Sequence, residues 1–371
     1  MPDPQLELIF LLARGAAGRA ASRERIHRLL ARVDFDRLAA ELSARRLLPL
    51  IGSRAVEVNP ELCPAGFRAI TETARAAARA RGLAVEAETR RIAVRLAEGG
   101  IRALPLKGPL LAEAAHGDIG LRESGDVDVL IPRSHLDDAV RLLEADGFES
   151  PADPVRKNGL PDLHFAVHHR HRPSVELHWR VHWYEEAFSK RMLARARPTR
   201  EGLLAADPED LAVALLLFYA RDGFHGVRLA ADIASWWDRS GEALSPHFLE
   251  NVPERFPEIA PALSAAATVV KQLSGTPAPE WLGSARSTGH RIGLAVRLLD
   301  WTQGGDRDQL AANISLVDGL LAPVAAIPAF VRRELVPRSG PATPHAVKML
   351  ARYGSALWRL RRGRRWEELP S

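Results

Sequence analysis

The sequence predicts an α+β protein that is predominantly helical, with a small mixed β-sheet in the middle of the chain and helical regions on either side. Three observations carry this reading. Residues 1–98 are rich in Ala, Arg, Leu and Glu at helical spacing. Two short alternating segments then appear, Gly125-Asp126-Val127-Asp128-Val129-Leu130-Ile131 and Ser174-Val175-Glu176-Leu177-His178-Trp179. Beyond about residue 200 helical patterns return, punctuated by Pro246, Pro253, Pro257, Pro277 and Pro279. The expected division is an N-terminal helical region over 1–98, a core over 99–190, and a C-terminal helical domain with a basic tail over 191–371.

In chain order, turns fall near Pro49 to Ser53 and Asn59 to Pro64. A long helix runs from about Gly66 to Glu98 and stops at Gly99-Gly100, because paired glycines favour a helix end. Ile101 to Leu106 reads as a short strand. Lys107-Gly108-Pro109 opens a helix over Leu110 to Ala115, since proline at the first turn lacks only a hydrogen that would be unpaired there. Ser134 with Asp137 starts a helix through Ala145, ended by Gly147. Few later segments look like strands, so the sheet should be confined to the middle.

Composition narrows the class. The chain has 371 residues, 46% of them hydrophobic, which is ample for buried cores. Cys63 is the single cysteine, so no intramolecular disulfide forms and a reducing cytoplasm is expected. The apolar run Leu6 to Leu12 carries Glu7 and no basic leader, and Leu316 to Phe330 is short and holds Asp318 and two prolines. Neither reads as a secretory signal or a membrane span. A net charge of +5 permits anionic ligands without demanding nucleic acid.

The chemistry concentrates in the alternating segments. Side chains on a strand alternate faces, so Asp126 and Asp128 share one side while Val127 and Val129 enter a core. Two like charges side by side repel, and that pairing persists when something positive sits between them. A divalent metal meets the need; acids facing water at a strand edge are the plainer alternative. The second segment puts Glu176 and His178 on one face. If that strand lies beside the first, Glu176 is the third carboxylate of a site suited to Mg²⁺ or Mn²⁺. The turn at Lys107-Gly108 leaves free backbone N–H groups at a helix start, a phosphate-binding arrangement assisted by the lysine cation.

The order Leu106-Lys107-Gly108, Arg122, Gly125-Asp126-Val127-Asp128, then Val175-Glu176-Leu177-His178-Trp179 resembles the nucleotidyltransferase superfamily of the DNA polymerase beta type. More narrowly it is similar to the bacterial uncharacterised nucleotidyltransferases with a Leu-Lys-Gly turn. The resemblance is most specific over residues 104–180 and extends to the Arg228-Leu229 to Asp232-Ile233 segment. It implies that Asp126 and Asp128 hold two metal ions, with Glu176 completing one site and helping to deprotonate an acceptor. Two cations about 3.5–4 Å apart stabilise attacking and leaving oxygens in a displacement at phosphorus. Lys107, Gly108, Arg122 and Gly125 would bind the nucleotide. The co-substrate would be a nucleoside triphosphate, ATP first among them, with a nucleoside monophosphate moved to an unidentified acceptor and pyrophosphate released. A nucleotide-binding regulator without turnover and an RNA-directed transferase are the alternatives.

Several residues carry two readings. Arg122 reaches a phosphate or forms a salt bridge with Glu123 or Asp118. Arg228 and Asp232 lie one turn apart and pair within a helix, or that helix closes over the cleft with His225 or Arg228 touching substrate. Six of thirteen histidines fall between 164 and 182. Zinc is disfavoured, because His178 and His182 would need a helix to share a face and no cysteine accompanies them. His178 instead tunes Glu176, and His164 contacts the acceptor or sits in a loop. The tail with Arg359, Arg361, Arg362, Arg364 and Arg365 between Trp358 and Trp366 is a solvated helix end or an RNA contact.

Overall fold

The computed structural model describes residues 3–151, 163–182, 185–199, 202–222, 227–245, 252 and 254–274. His225, the segment from Leu316 to Phe330 and the arginine-rich tail lie outside the described residues. Helices α1 (Pro4–Ala13), α2 (Ala16–Ala21), α3 (Arg23–Leu30), α4 (Phe35–Ala44), α5 (Ser53–Val58) and α6 (Ala65–Glu98) form the N-terminal part. A π-helical turn at Leu48–Gly52 joins α4 to α5.

The 34-residue α6 shows why the sequence reads as it does. Phe67, Thr71, Ala78, Gly82, Val85, Thr89, Ile92 and Leu96 are buried and recur at intervals of three, four or seven residues, one stripe of a 3.6-residue helix. The helix ends where Gly100 turns left-handed, at φ 73°. The amide of Gly100 donates to the Ala97 carbonyl and that of Ile101 to the Leu96 carbonyl, which satisfies the last turn.

The sheet is small, mixed and central. Its strands are β1 (Leu104–Pro105), β2 (Asp126–Leu130), β3 (His164–Val167) and β4 (Ser174–His178), in the spatial order β1-β2-β4-β3. β2 and β4 run parallel, and the outer strands run antiparallel to them. The expected strand over 101–106 shortens to two residues, although the Leu106 amide continues the ladder by donating to the Asp128 carbonyl at 3.0 Å. Between β2 and β3 lies α8 (Leu136–Ala145), which a 3-10 turn at Arg133–His135 precedes. Helix α7 (Pro109–His116) follows β1.

Alternation divides the sheet into two chemically distinct faces. Val127, Val129, Phe165, Val167, Val175 and Leu177 are buried with Val85, Ile92 and Leu96 of α6 and Leu136, Val140 and Leu143 of α8. The opposite face carries the acids and histidines. It looks toward helices α9 (Ala187–Arg195), α10 (Pro208–Arg221), α11 (Arg228–Ser240) and α12 (Ala260–Ser274). Those helices build a second core that includes Leu104, Leu106 and Leu130. A third core joins α1, α3 and α4 to Val227 and Ala231. One further ladder, of β5 (Arg197–Pro198) and β6 (Leu204–Ala205), lies outside the central region. Among the described residues no helix is long and apolar enough to cross a membrane.

Leu143 is fully buried and Leu83 on α6 is 54% exposed. Replacing Leu143 by Ala should lower unfolding free energy by about 2–5 kcal/mol, the cost of lost transfer plus a cavity. Leu83→Ala should move it by no more than about 0.5 kcal/mol. Urea titrations of both variants check the layer assignment, and equal effects would contradict it.

Candidate active site

Register assembles the polar face. In the parallel pair, Asp126 stands opposite Ser174, Asp128 opposite Glu176 and Leu130 opposite His178. In the antiparallel pair His164 stands opposite His178. Asp126, Asp128, Glu176, His178 and His164 therefore share one side of the sheet. Carboxylate oxygens of Asp126, Asp128 and Glu176 lie within 4.8 Å of one another. They face a cavity of about 360 Å³ whose wall also holds Lys107, Gly108, Arg122 and Gly125.

Three negative charges so close are held by specific partners. The Nε2 of His178 is 3.0 Å from Asp128 Oδ1 and 3.2 Å from Glu176 Oε2, and the ring is fully buried. The Lys107 ammonium lies 3.7 Å from Asp128 Oδ2 and 4.7 Å from the centre of the Phe218 ring. Burial alone would raise the Asp128 carboxyl, but Lys107 and the His178 hydrogen bond outweigh it and hold the group well below the usual carboxylate range. Glu176 is likewise held low: burial opposes ionisation, while the His178 hydrogen bond and nearby His164 favour it.

Asp126 behaves differently. Burial in the cleft, followed by the charges of Asp128 and Glu176, pushes its carboxyl up. It has no cation within ion-pair distance among the described residues. Burial, then repulsion from His178, drops the His164 imidazole to about 4, so it is neutral near pH 7. This donor set fits a hard divalent cation: three carboxylates converge, one of them still short of positive charge, and all are open to the cavity.

Cations line the same cavity, among them Lys107, Arg122 and Arg228. Gly108 adopts φ 72° and ψ −142°, a conformation that only glycine takes readily, and Pro109 starts α7 with no side-chain cap. The first amides of α7 are thus not consumed by the chain's own side chains. Helix α11 also begins without a side-chain cap, at Val227, and its first residue, Arg228, lines the cavity. A cation at a helix N-terminus opposes the macrodipole, so Arg228 is not placed there for helix stability.

Three sequence readings are corrected here. The Arg122 partner is neither Glu123 nor Asp118: its Nε donates to Asp232 Oδ2 at 2.8 Å and Nη1 reaches Ser124 Oγ at 3.3 Å. Glu123 is claimed by Arg46 and Arg81, and Asp118 by Arg75 and Arg79. The intrahelical pair between Arg228 and Asp232 does not form, because the fully buried Asp232 spends its carboxylate on Arg122 and on His116 Nε2 at 2.8 Å. His164 is on strand β3 rather than in a loop.

Arg46, Ser124, Arg221 and Asp222 also line the cavity. Arg221 Nε donates to Asp222 Oδ1 at 3.0 Å, and its guanidinium lies 5.0 Å from the Phe218 ring centre. Their only sequence signal was an Arg-Asp pair directly after the apolar run from Leu215 to Tyr219, and Arg46 gave none.

A carboxylate trio on a small mixed sheet, facing a cation-lined cleft at a glycine turn, defines a protein of the nucleotidyl-transfer class. The chain belongs to the uncharacterised nucleotidyltransferase family, whose model matches residues 31–273, more than half of the sequence. No curated protein matches the chain.

The buried Asp232 yields a stability test. Burial would raise its carboxyl, but Arg122 and His116 hold it far below the usual range. A depressed carboxylate contributes stability above its unfolded pKa of about 3.9 that is lost as pH falls toward the folded value. Asp232→Asn should therefore cost about 3–5 kcal/mol at pH 7, the scale for stripping one partner from a buried ion pair. The gap between wild type and variant in urea unfolding should narrow below about pH 4. A gap independent of pH would contradict the pairing.

Proposed function

We propose that the protein is a Mg²⁺- or Mn²⁺-dependent nucleotidyltransferase that moves a nucleoside monophosphate from a nucleoside triphosphate, ATP first among the four, to a hydroxyl of a small molecule, peptide or protein. The observation that carries this reading is that a carboxylate trio and a set of cations line one cavity. Asp126, Asp128 and Glu176 converge there, and Lys107, Arg122, Arg228 and the uncapped start of α7 at Gly108 line the same cavity. A triphosphate with its counter-ion also combines both signs of charge, and the volume lies in the range of small-molecule clefts.

The roles follow from the chemistry of each group. The acceptor oxygen bonds to the α-phosphorus, the bond from that phosphorus to the bridging oxygen breaks, and pyrophosphate leaves. Asp126 and Asp128 would hold the divalent ion, with Glu176 as the third ligand. When bound, that ion offsets charge on the reacting phosphoryl oxygens and on the leaving group. Glu176, kept ionised by its hydrogen bond with His178, accepts the hydrogen of the acceptor hydroxyl. Arg122 is held in position by Asp232 and Ser124, so little side-chain entropy is lost when it meets a phosphate oxygen. Arg228 and the free amides of α7 bind the remaining phosphate charge.

Incubation with each of the four triphosphates, Mg²⁺ and cell extract should release pyrophosphate and add a monophosphate mass to one component. Asp126→Asn and Asp128→Asn should each reduce both signals by at least about 10²-fold, the loss typical of one stabilising group at a charged transition state. Undiminished signals in folded variants, or no turnover of any triphosphate by wild type, would overturn the reading.

A further inference from the structure

We infer that His164, Glu176 and His178 form a second, nitrogen-bearing cation site for a borderline divalent ion of the Zn²⁺ or Co²⁺ kind, beside the carboxylate trio and sharing Glu176 with it. Its basis is strand register. His164 and His178 are direct partners across β3 and β4, and Glu176 precedes His178 by two residues on the same face. Ligand atoms of all three lie within 4.8 Å of one another. His178 Nε2 is 3.2 Å from Glu176 Oε2, and His164 Nε2 is 3.8 Å from the same oxygen.

Those spacings suit a small ion. With metal–ligand bonds of about 2.0–2.1 Å, ligand atoms on a tetrahedron are about 3.3 Å apart, close to the two nitrogen–oxygen distances. The two rings lie 4.8 Å apart at 42°, not stacked flat, and each brings its Nε2 within 3.8 Å of the same Glu176 oxygen. His178 is fully buried, which fixes its ring, and its Nε2 also lies 3.0 Å from Asp128 Oδ1, a further oxygen donor.

Donor chemistry separates this set from its neighbour. Two imidazoles and a carboxylate favour Zn²⁺ or Co²⁺, whereas three carboxylates favour Mg²⁺ or Mn²⁺. Two histidines and one glutamate are also a ligand set that leaves a coordination position open, here toward the cavity. The site does not depend on the helical spacing of His178 and His182 considered for zinc from the sequence; the second nitrogen comes from another strand.

The test uses the full chain without nucleotide. Co²⁺ is titrated and followed by its visible absorption with Zn²⁺ as competitor, and histidine ¹⁵N shifts are recorded with Zn²⁺ bound. His164→Gln, on the edge strand β3, should weaken Co²⁺ by at least about tenfold, since even outer partners of a bound metal count on that scale. It should weaken Co²⁺ more than Asp126→Asn does, and Mg²⁺ should respond in the reverse order. Zn²⁺ should move the Nε2 shifts of both His164 and His178. Unmoved shifts, or Asp126→Asn costing Co²⁺ as much as His164→Gln, would overturn the inference. Because no triphosphate is present, failure here is distinguishable from failure of nucleotidyl transfer.

Discussion

The parallel register of β2 and β4 governs the rest of the molecule. It sets Asp128 directly opposite Glu176, with Asp126 one pleat away, and so gathers three negative charges on one face of a small sheet. A single-residue slip would turn the acids into the α6–α8 core and the valines into the cleft. The buried apolar face enforces the register that creates the charged one, so core packing and site geometry have the same cause.

Charge concentrated in this way must be balanced, and the surroundings supply the balance. Lys107 and His178 attend Asp128, His178 attends Glu176, and Asp126 stays short of positive charge. This asymmetry separates the trio from a structural salt-bridge network, in which each acid would have a partner. The second balance lies deeper. Asp232 of α11 anchors Arg122 and His116, coupling the helices behind the cleft to the turn in front of it.

Much of this was legible in the sequence, for identifiable reasons. Alternation in Asp126 to Leu130 and Ser174 to His178 revealed both central strands and the face that each acid occupies. Gly99-Gly100 marked the end of α6, and Gly108-Pro109 the start of α7, because backbone conformation there depends on those residue types. Charge pairing was not legible. Arg228 and Asp232 have ideal spacing for an intrahelical bond, yet Asp232 turns to Arg122, over a hundred positions earlier in the chain. The pairing of His164 with His178 was hidden as well, since strand pairing depends on tertiary packing that a local pattern does not encode. Arg46 reaches the cleft from just past α4, where its neighbours in sequence resemble any other surface, and Arg221 from the end of α10.

The central claim is that Asp126, Asp128 and Glu176 act as one cation-binding unit. Anomalous diffraction from crystals soaked in Mn²⁺ with a non-hydrolysable triphosphate tests it most directly. The account predicts a peak about 2.0–2.6 Å from carboxylate oxygens of all three residues, with phosphate oxygens on the side of Lys107 and Arg122. A peak elsewhere, or Glu176 turned away from the two aspartates with no ion between them, would contradict it.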